Sequence, residues 1–212
     1  MKAFVWGASG HAKVVADAAC REGRFELVGF VDELKPERQG EAVLGLPILG
    51  GAEAFAQLQA DGVGHVLLGV GDCDARLRIA ERAVAAGFAL GTVIHPTSVL
   101  AADVVIDAGS VVFASVVVNP GSRIGRAVVL NTACSVDHDC VVGDGAHLSP
   151  GVRLAGNVRV GELSWLGIGS VVIQGVTIGA RSVVGAGSVV LKDLPSDIVA
   201  YGVPTSVRRD RS

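Results

Sequence analysis

The sequence predicts a parallel β-helix preceded by a small α/β domain. The first observation is a period of six. From Ile94 through Val190 every sixth residue is Ile, Leu or Val, giving seventeen hexads without an exception. No single hexad can bury its own apolar residue, so a chain of this period must stack its hexads into coils. The second observation is that residues 1–93 alternate strand-like and helix-like segments, the pattern of a small, Rossmann-like parallel sheet. The expected boundaries are residues 1–93 for the α/β domain, 94–195 for the β-helix and 196–212 for a C-terminal tail.

Within the first domain, Ala3-Phe4-Val5-Trp6-Gly7 reads as a buried strand, and Ala12 to Ala19 as the start of an amphipathic helix. Glu26 to Val31 gives a second strand, ending at Asp32-Glu33. A helix is expected from Ala52 to Gln59, a strand from His65 to Val70, a helix from Asp74 to Ala86 and a strand from Ala89 to Ile94. In an open parallel sheet, ligands sit beyond the carboxyl ends of the strands. That rule selects the stretch Gly7 to His11, then Asp32 and Glu33, and the segment Gly69 to Asp72. A Gly-rich turn entering a helix offers backbone amides and a positive helix end to a phosphate, and Asp32 is placed to bind ribose hydroxyls. Gly7-Ala8-Ser9-Gly10 is not the Gly-x-Gly-x-x-Gly fingerprint. A nucleotide-linked substrate, a dinucleotide and a ligand-free tight turn all stay open on these residues.

Composition removes several function classes. The 212 residues carry a net charge of −3 and no long basic run, which argues against a nucleic-acid surface. The longest aliphatic runs are far short of the ~20 residues a membrane helix needs. The opening Met1-Lys2-Ala3-Phe4-Val5-Trp6-Gly7 lacks a secretory pattern, so a cytoplasmic protein is expected. The four cysteines, Cys20, Cys73, Cys134 and Cys140, show no Cys-x-x-Cys spacing, and Cys134 and Cys140 read as core residues. Arg208, Arg209 and Arg211 read as a solvated tail.

The hexads carry a second column. Four residues after each aliphatic position comes a small or compact side chain, as at Ser98, Ser110, Ser122, Cys134, Cys140, Ala146, Ser164, Ser170, Ser182 and Ser188. Strand alternation turns both columns inward. The pattern [Ile/Leu/Val]-Gly-x-x-small-x resembles the hexapeptide-repeat acyltransferases, and the resemblance implies a left-handed β-helix with three hexads in each triangular coil. The seventeen hexads would then make five complete coils and two-thirds of a sixth.

An 18-residue coil stacks positions that differ by 18. Pro120-Gly121, His138-Asp139, Gly156-Asn157 and Gln174-Gly175 would then share one corner, in layers ~4.8 Å apart. Acyl transfer from a thioester needs a base for the incoming nucleophile and a donor for the oxyanion. His138 suits the first role, with Asp139 or Asp137 fixing its tautomer, and the Gly156 amide suits the second. His147 falls on another face beneath Trp165, so any joint role with His138 requires a neighbouring subunit. The outward columns Val111, Val129, His147, Trp165, Val183 and Val99, Val117, Val171, Val189 are apolar enough to predict trimer packing. Gly125, Gly143, Gly161 and Gly179 form a bare strip open to two readings, a path for a ligand or the ordinary glycine of the repeat.

A further resemblance runs along nearly the whole chain. Gly7-Ala8-Ser9-Gly10-His11, Asp32-Glu33, Leu130-Asn131-Thr132, Val136-Asp137-His138-Asp139-Cys140, His147-Leu148-Ser149, Ala155-Gly156-Asn157-Val158 and Gly202-Val203-Pro204 resemble the sugar O/N-acyltransferases of the sialic acid O-acetyltransferase type. Within them the chain is most similar to the UDP-N-acetylbacillosamine and perosamine N-acetyltransferases, which acetylate the 4-amino group of nucleotide-linked sugars. The resemblance implies His138 as general base, Asp139 as its acidic neighbour where some members carry Glu, and the Gly156 amide facing the thioester carbonyl. It implies a homotrimer with acetyl-CoA along the prism between subunits, held by His147, Gly156, Gly167, Ile168 and Ala186. It also implies a nucleotide sugar held by Gly10, His11 and Asp32 and a second active-site histidine at His147, and the strand-end rule adds Glu33 and Gly71 to the expected substrate-binding residues. Thr205 stands where related chains often have Ala.

The expected reaction is therefore transfer of acetyl from acetyl-CoA to the 4-amino group of a UDP- or GDP-linked 4-amino-4,6-dideoxy sugar. An O-acetyltransferase of the sialic acid type and a non-enzymatic nucleotide-sugar scaffold are the competing readings. A prismatic carbonic anhydrase would need three histidines on zinc between subunits. The coils offer His138 and His147, with His95 at the boundary and no His-x4-His pair, so no metal is expected.

Overall fold

The computed structural model describes residues 1–211, which divide into two compact units, residues 1–96 and the chain from Thr97 onward. In chain order the first unit contains β1 (Lys2–Trp6), α1 (Gly10–Glu22), β2 (Glu26–Val31), the hairpin strands β3 (Ala42–Val43) and β4 (Leu46–Pro47), α2 (Phe55–Ala60), β5 (His65–Leu68), α3 (Cys73–Ala85) and β6 (Ala89–Leu90). The main sheet is parallel, in the order β2-β1-β5-β6. Its central strand β1 is apolar throughout after Lys2 because both faces are covered. Phe4, Trp6, Val31, Leu58, Val66, Ala83 and Phe88 form one buried cluster, with the Phe4 and Phe88 rings edge-on at 5.0 Å.

Three details differ from the sequence reading. The helix expected from Ala52 begins as a 3-10 turn, Ala52–Ala54, before α2. The strand expected over Ala89 to Ile94 breaks at Gly91-Thr92, where the backbone packs so closely that a Cβ on Gly91 would lie 2.4 Å from Leu67 Cδ2. The loop after β2 folds part of itself into the β3–β4 hairpin.

The sheet edge that bears on function is set by Gly7. Its φ of +113° turns the chain sharply from β1 towards α1, and a Cβ there would meet Gly69 O at 2.8 Å. This brings the entry to α1 against the exit from β5. The two helices starting at this edge end differently. Asp72 caps α3 by accepting the Ala75 N–H at 2.8 Å, and Asp74 adds an acid to its first turn. At α1, Ser9 makes no side-chain cap and the first turn carries no acid. A helix N-terminus with neither a side-chain cap nor an acid in its first turn is one that suits an anion.

The second unit is a solenoid of two-residue strands six residues apart. Val111 pairs with Val129, Val129 with His147, His147 with Trp165 and Trp165 with Val183, each step being 18 residues. Equivalent parallel ladders run from Val99 to Val189 and from Val105 to Thr177. Three faces of six residues therefore make one coil. The inward Ser110, Ser122, Ser164 and Ser182 are satisfied core polar groups, whereas Ser170 Oγ is buried without a partner. Ser110 Oγ donates to Gly125 O at 2.7 Å and accepts the Val128 N–H at 2.9 Å, and Ser122 and Ser164 repeat the device further along the solenoid.

The glycine strip receives a plain explanation. A Cβ on Gly125, Gly143, Gly161 or Gly179 would strike backbone atoms of the following coil, at 2.9 Å from Asp144 N in the first case and 2.3 Å from Ser196 N in the last. Glycine is required there by coil stacking, and the strip is not bare. The outward column is also only partly open, because Val111 and Val129 are already buried in the single chain, whereas Val99, Trp165 and Val171 are exposed.

The register ends with a shortening. Ile178 bridges Leu194 and Val183 pairs with Val199, steps of 16 residues in place of 18. The C-terminal segment is a hairpin and not the expected tail. Ile198–Gly202 continues one face of the solenoid and turns back antiparallel into Thr205–Asp210. Buried Ile198 and Ala200 anchor this hairpin, and Arg208 lies over the Tyr201 ring at 4.8 Å. Among the described residues no helix is long and apolar enough to cross a membrane.

Candidate active site

The corner selected by the 18-residue arithmetic is a built site. Asp139 takes a left-handed backbone conformation, φ 58°, as does Gly121 one coil below at φ 76°. This fold-back carries the Asp139 carboxylate to His138 Nδ1 at 2.8 Å. The Nδ1–H then donates to the carboxylate and leaves Nε2 as the basic nitrogen. The hydrogen bond that His138 donates to Asp139, assisted by the charges of Asp137 and Asp139, raises the His138 pKa above the ordinary histidine value. Gly121 must be glycine for the pair to fit, since its Cβ would lie 2.5 Å from Asp139 Oδ1.

Gly156 occupies the next coil, and its missing side chain is filled by the imidazole. A Cβ there would lie 2.4 Å from His138 Nε2 and 2.5 Å from Cε1. The Gly156 carbonyl accepts the Gly175 N–H at 3.0 Å, while among the described residues its own N–H has no partner. A basic nitrogen and an uncommitted amide therefore face one open cleft of about 570 Å³, lined also by Asp137, Ala155, Asn157, Gln174 and Gly175. Below it, Asn119 Nδ2 donates to Asp137 Oδ1 at 2.8 Å, and that oxygen also accepts the His138 N–H at 2.8 Å. These two donors hold the Asp137 carboxyl below the usual carboxylate range.

A second groove, of about 420 Å³, lies on another face of the solenoid. His147 and Trp165 stack there at 5.8 Å between ring centres and 21° between planes. Asn131 Nδ2 lies 3.2 Å from His147 Nε2, and Trp165 Nε1 donates to Ser149 Oγ at 2.7 Å. Gly167, Ile168 and Ala186 complete the lining with Val183 and Gly185. Four of the five residues expected to hold acetyl-CoA thus come together in one apolar channel. The fifth, Gly156, lies in the His138 cleft, which shares no residue with this groove.

At the sheet edge of the first unit, Gly10 begins α1 and has open space where a Cβ would be, so neither packing nor φ demands glycine there. Gly71 approaches His11, its Cβ position lying 3.8 Å from His11 Cγ. Asp32 is 8% exposed; its Oδ1 accepts the Leu34 N–H at 3.0 Å and its Oδ2 lies 4.0 Å from Arg38 Nη1. Glu33 forms a two-pronged pair with Arg82 at 2.8 Å for both bonds, and Arg82 lies over the Trp6 ring at 5.0 Å. Asp32 and Glu33 both line a pocket of about 250 Å³ between Trp6 and Ile79.

Known proteins are similar to this chain in sequence and fold. Residues 2–83 match the family model of the PglD N-terminal domain, and residues 157–192 match the bacterial transferase hexapeptide model of six repeats. Perosamine N-acetyltransferase (PerB) from Caulobacter crescentus, solved with CoA and GDP-perosamine, is 39% identical with a TM-score of 0.93. The match covers 99% of this chain and 98% of that one. The chain belongs to the hexapeptide-repeat sugar acyltransferases.

Other solved structures are similar to this chain. The acetyltransferase domain of PglB from Neisseria gonorrhoeae is 37% identical with a TM-score of 0.91, over 98% of this chain and 99% of that one, and has also been solved with acetyl coenzyme A. WeeI from Acinetobacter baumannii, 24% identical with a TM-score of 0.84, shares the fold. The protein is accordingly an acetyltransferase enzyme. Among the described residues no group of three or more His, Cys, Asp or Glu side chains could hold a metal ion. Sequence reasoning did not single out Asn119 or Arg82. Asn119 was within reach of the stacking arithmetic, lying 18 residues before Asp137, whereas Arg82 meets Glu33 across 49 residues with no period to signal it.

Proposed function

We propose that this enzyme transfers acetyl from acetyl-CoA to the 4-amino group of a GDP- or UDP-linked 4-amino-4,6-dideoxy sugar, with His138 as general base. The observation that carries the reading is the corner itself: an imidazole anchored through Nδ1 to Asp139, its Nε2 against Gly156, whose amide is uncommitted. His138 Nε2 takes a proton from the nitrogen as the carbon–nitrogen bond forms. The Gly156 N–H donates to the oxyanion of the tetrahedral intermediate. The imidazolium then returns its proton to the departing thiolate as the carbon–sulfur bond breaks.

The His147–Trp165 groove suits the pantetheine arm, which is narrow and largely apolar, and Gly167, Ile168 and Ala186 are the contacts assigned to it. Because this groove and the His138 cleft share no residue, the reading takes the groove of one protomer to serve the cleft of its neighbour in a homotrimer. The exposed Val99, Trp165 and Val171 support such packing. The α1 amides at Gly10 and His11 would take the diphosphate, Asp32 the ribose, and Glu33 and Gly71 would border the nucleotide. GDP is placed ahead of UDP because the 39%-identical relative was solved with GDP-perosamine. The test is thiol release from acetyl-CoA with GDP-, UDP- and dTDP-linked 4-amino sugars, followed by mass spectrometry of the product. The reading requires an N-acetylated GDP or UDP sugar; acetyl on oxygen alone, or no turnover with any acceptor, would overturn it.

A further inference from the structure

Asp137 stands beside the base without being spent on it. Its backbone is fixed on both sides, the N–H donating to Leu154 O at 3.1 Å and the carbonyl accepting Ser122 Oγ–H at 2.8 Å. Its Oδ1 accepts from Asn119 and from the His138 N–H. Among the described residues nothing donates to Oδ2, and Asp137 lines the same cleft as His138 and Gly156. The corner therefore holds two carboxylates with separate work. Asp139 is committed to the imidazole, and Asp137 keeps one oxygen for something outside the fold.

We infer that Asp137 Oδ2 is the ammonium-binding group of the acceptor site and selects an amine over a hydroxyl. This deepens the assignment of acetyl transfer to the His138 cleft and rests on it. An aliphatic amine enters from water near neutral pH largely as an ammonium ion, and a carboxylate gives it a charge-assisted hydrogen bond that a hydroxyl cannot match. The two donors on Oδ1 keep the carboxylate ionised, so that bond is present across the neutral range. The Asp137 charge adds to the rise of the His138 pKa that the hydrogen bond to Asp139 produces.

The proton count closes. The ammonium held by Asp137 gives one proton to solvent, and the freed lone pair attacks the thioester carbonyl carbon while the π electrons move to oxygen. His138 Nε2 removes a second proton from the nitrogen. Collapse breaks the carbon–sulfur bond, and the imidazolium protonates the thiolate. One amide, one thiol and one solvent proton result.

The test is Asp137→Asn, which keeps an oxygen to accept both internal hydrogen bonds and removes only the charge. At neutral pH the KM for the GDP-linked amino sugar should rise about tenfold or more, the size of one charge-assisted bond, and should change by a larger factor than kcat does. The deficit should shrink as pH rises through the amine's own titration. A KM that does not change, or a deficit that is the same at every pH, would overturn the inference and reduce Asp137 to a residue that shapes the turn. A measurement on the unmodified enzyme guards against a variant that fails to fold. The preference for binding the amino sugar over its 4-hydroxy counterpart should weaken as pH rises; a preference independent of pH contradicts the proposal. The two readings fail separately, since unmodified enzyme that acetylates no amine sinks the assigned reaction, whereas active enzyme with an unaltered Asp137→Asn sinks only this inference.

Discussion

Replacing Gly156 by alanine isolates the position of the base from every other part of the site. The added Cβ would lie 2.4 Å from His138 Nε2, where ordinary contact begins at 3.4 Å, so the imidazole must retreat by about 1 Å. The backbone N–H of residue 156 survives the substitution, and the oxyanion donor with it. The His147–Trp165 groove does not include residue 156 and should bind CoA as before. The ring's side chain is 55% exposed and has room to swing outward, so the fold loses little. A misplacement of ~1 Å at a reacting group costs on the order of 10²-fold in rate. Steady-state thiol release should accordingly show kcat down about 10²-fold, with the CoA dissociation constant and the thermal midpoint nearly unchanged. If Gly156→Ala keeps kcat within about threefold, the imidazole seen against Gly156 is not the reacting base.

Three further outcomes rest on the same geometry. Asp139 raises the His138 pKa, so the neutral base is lost on acidification at a higher pH than an ordinary histidine would allow; Asp139→Asn should move the acid limb of the kcat/KM profile to lower pH. Gly7→Ala places a Cβ 2.8 Å from Gly69 O at a φ of +113°, backbone against backbone, and should lower the urea midpoint through a loss of about 1–3 kcal/mol from conformation alone. Burial pushes the Cys134 thiol up to about 12, so a disulfide reagent should titrate exposed Cys20 at once and reach Cys134 only after unfolding.

The solenoid was legible in the sequence because its geometry repeats. Once 18 residues make a coil, subtraction alone stacks Gly156 over His138 and Trp165 over His147, and both stacks are present. What arithmetic could not decide was which aspartate serves the imidazole. That choice depends on the left-handed backbone at Asp139, which folds its carboxylate back to Nδ1, and on Asn119, which draws Asp137 away. The meaning of the glycine strip was hidden for a related reason, since a missing Cβ looks the same in sequence whether it admits a ligand or the next coil. In the α/β unit, strand and helix order followed from apolar runs and breakers. The difference between a capped α3 and an uncapped α1 lay in side-chain orientations at Asp72 and Ser9 that composition does not report. The terminal hairpin was missed because its anchors, Ile198 and Ala200, find their partners only after the register slips by two residues.

The proposed chemistry turns on His138 as the base for acetyl transfer to an amino sugar. Its most direct measurement is kcat for His138→Ala against unmodified enzyme, with acetyl-CoA and a GDP-linked 4-amino sugar at saturation. With His138 as the base, kcat should fall about 10²–10⁴-fold with the sugar still bound; a variant that retains most of its kcat would show that His138 is not the base.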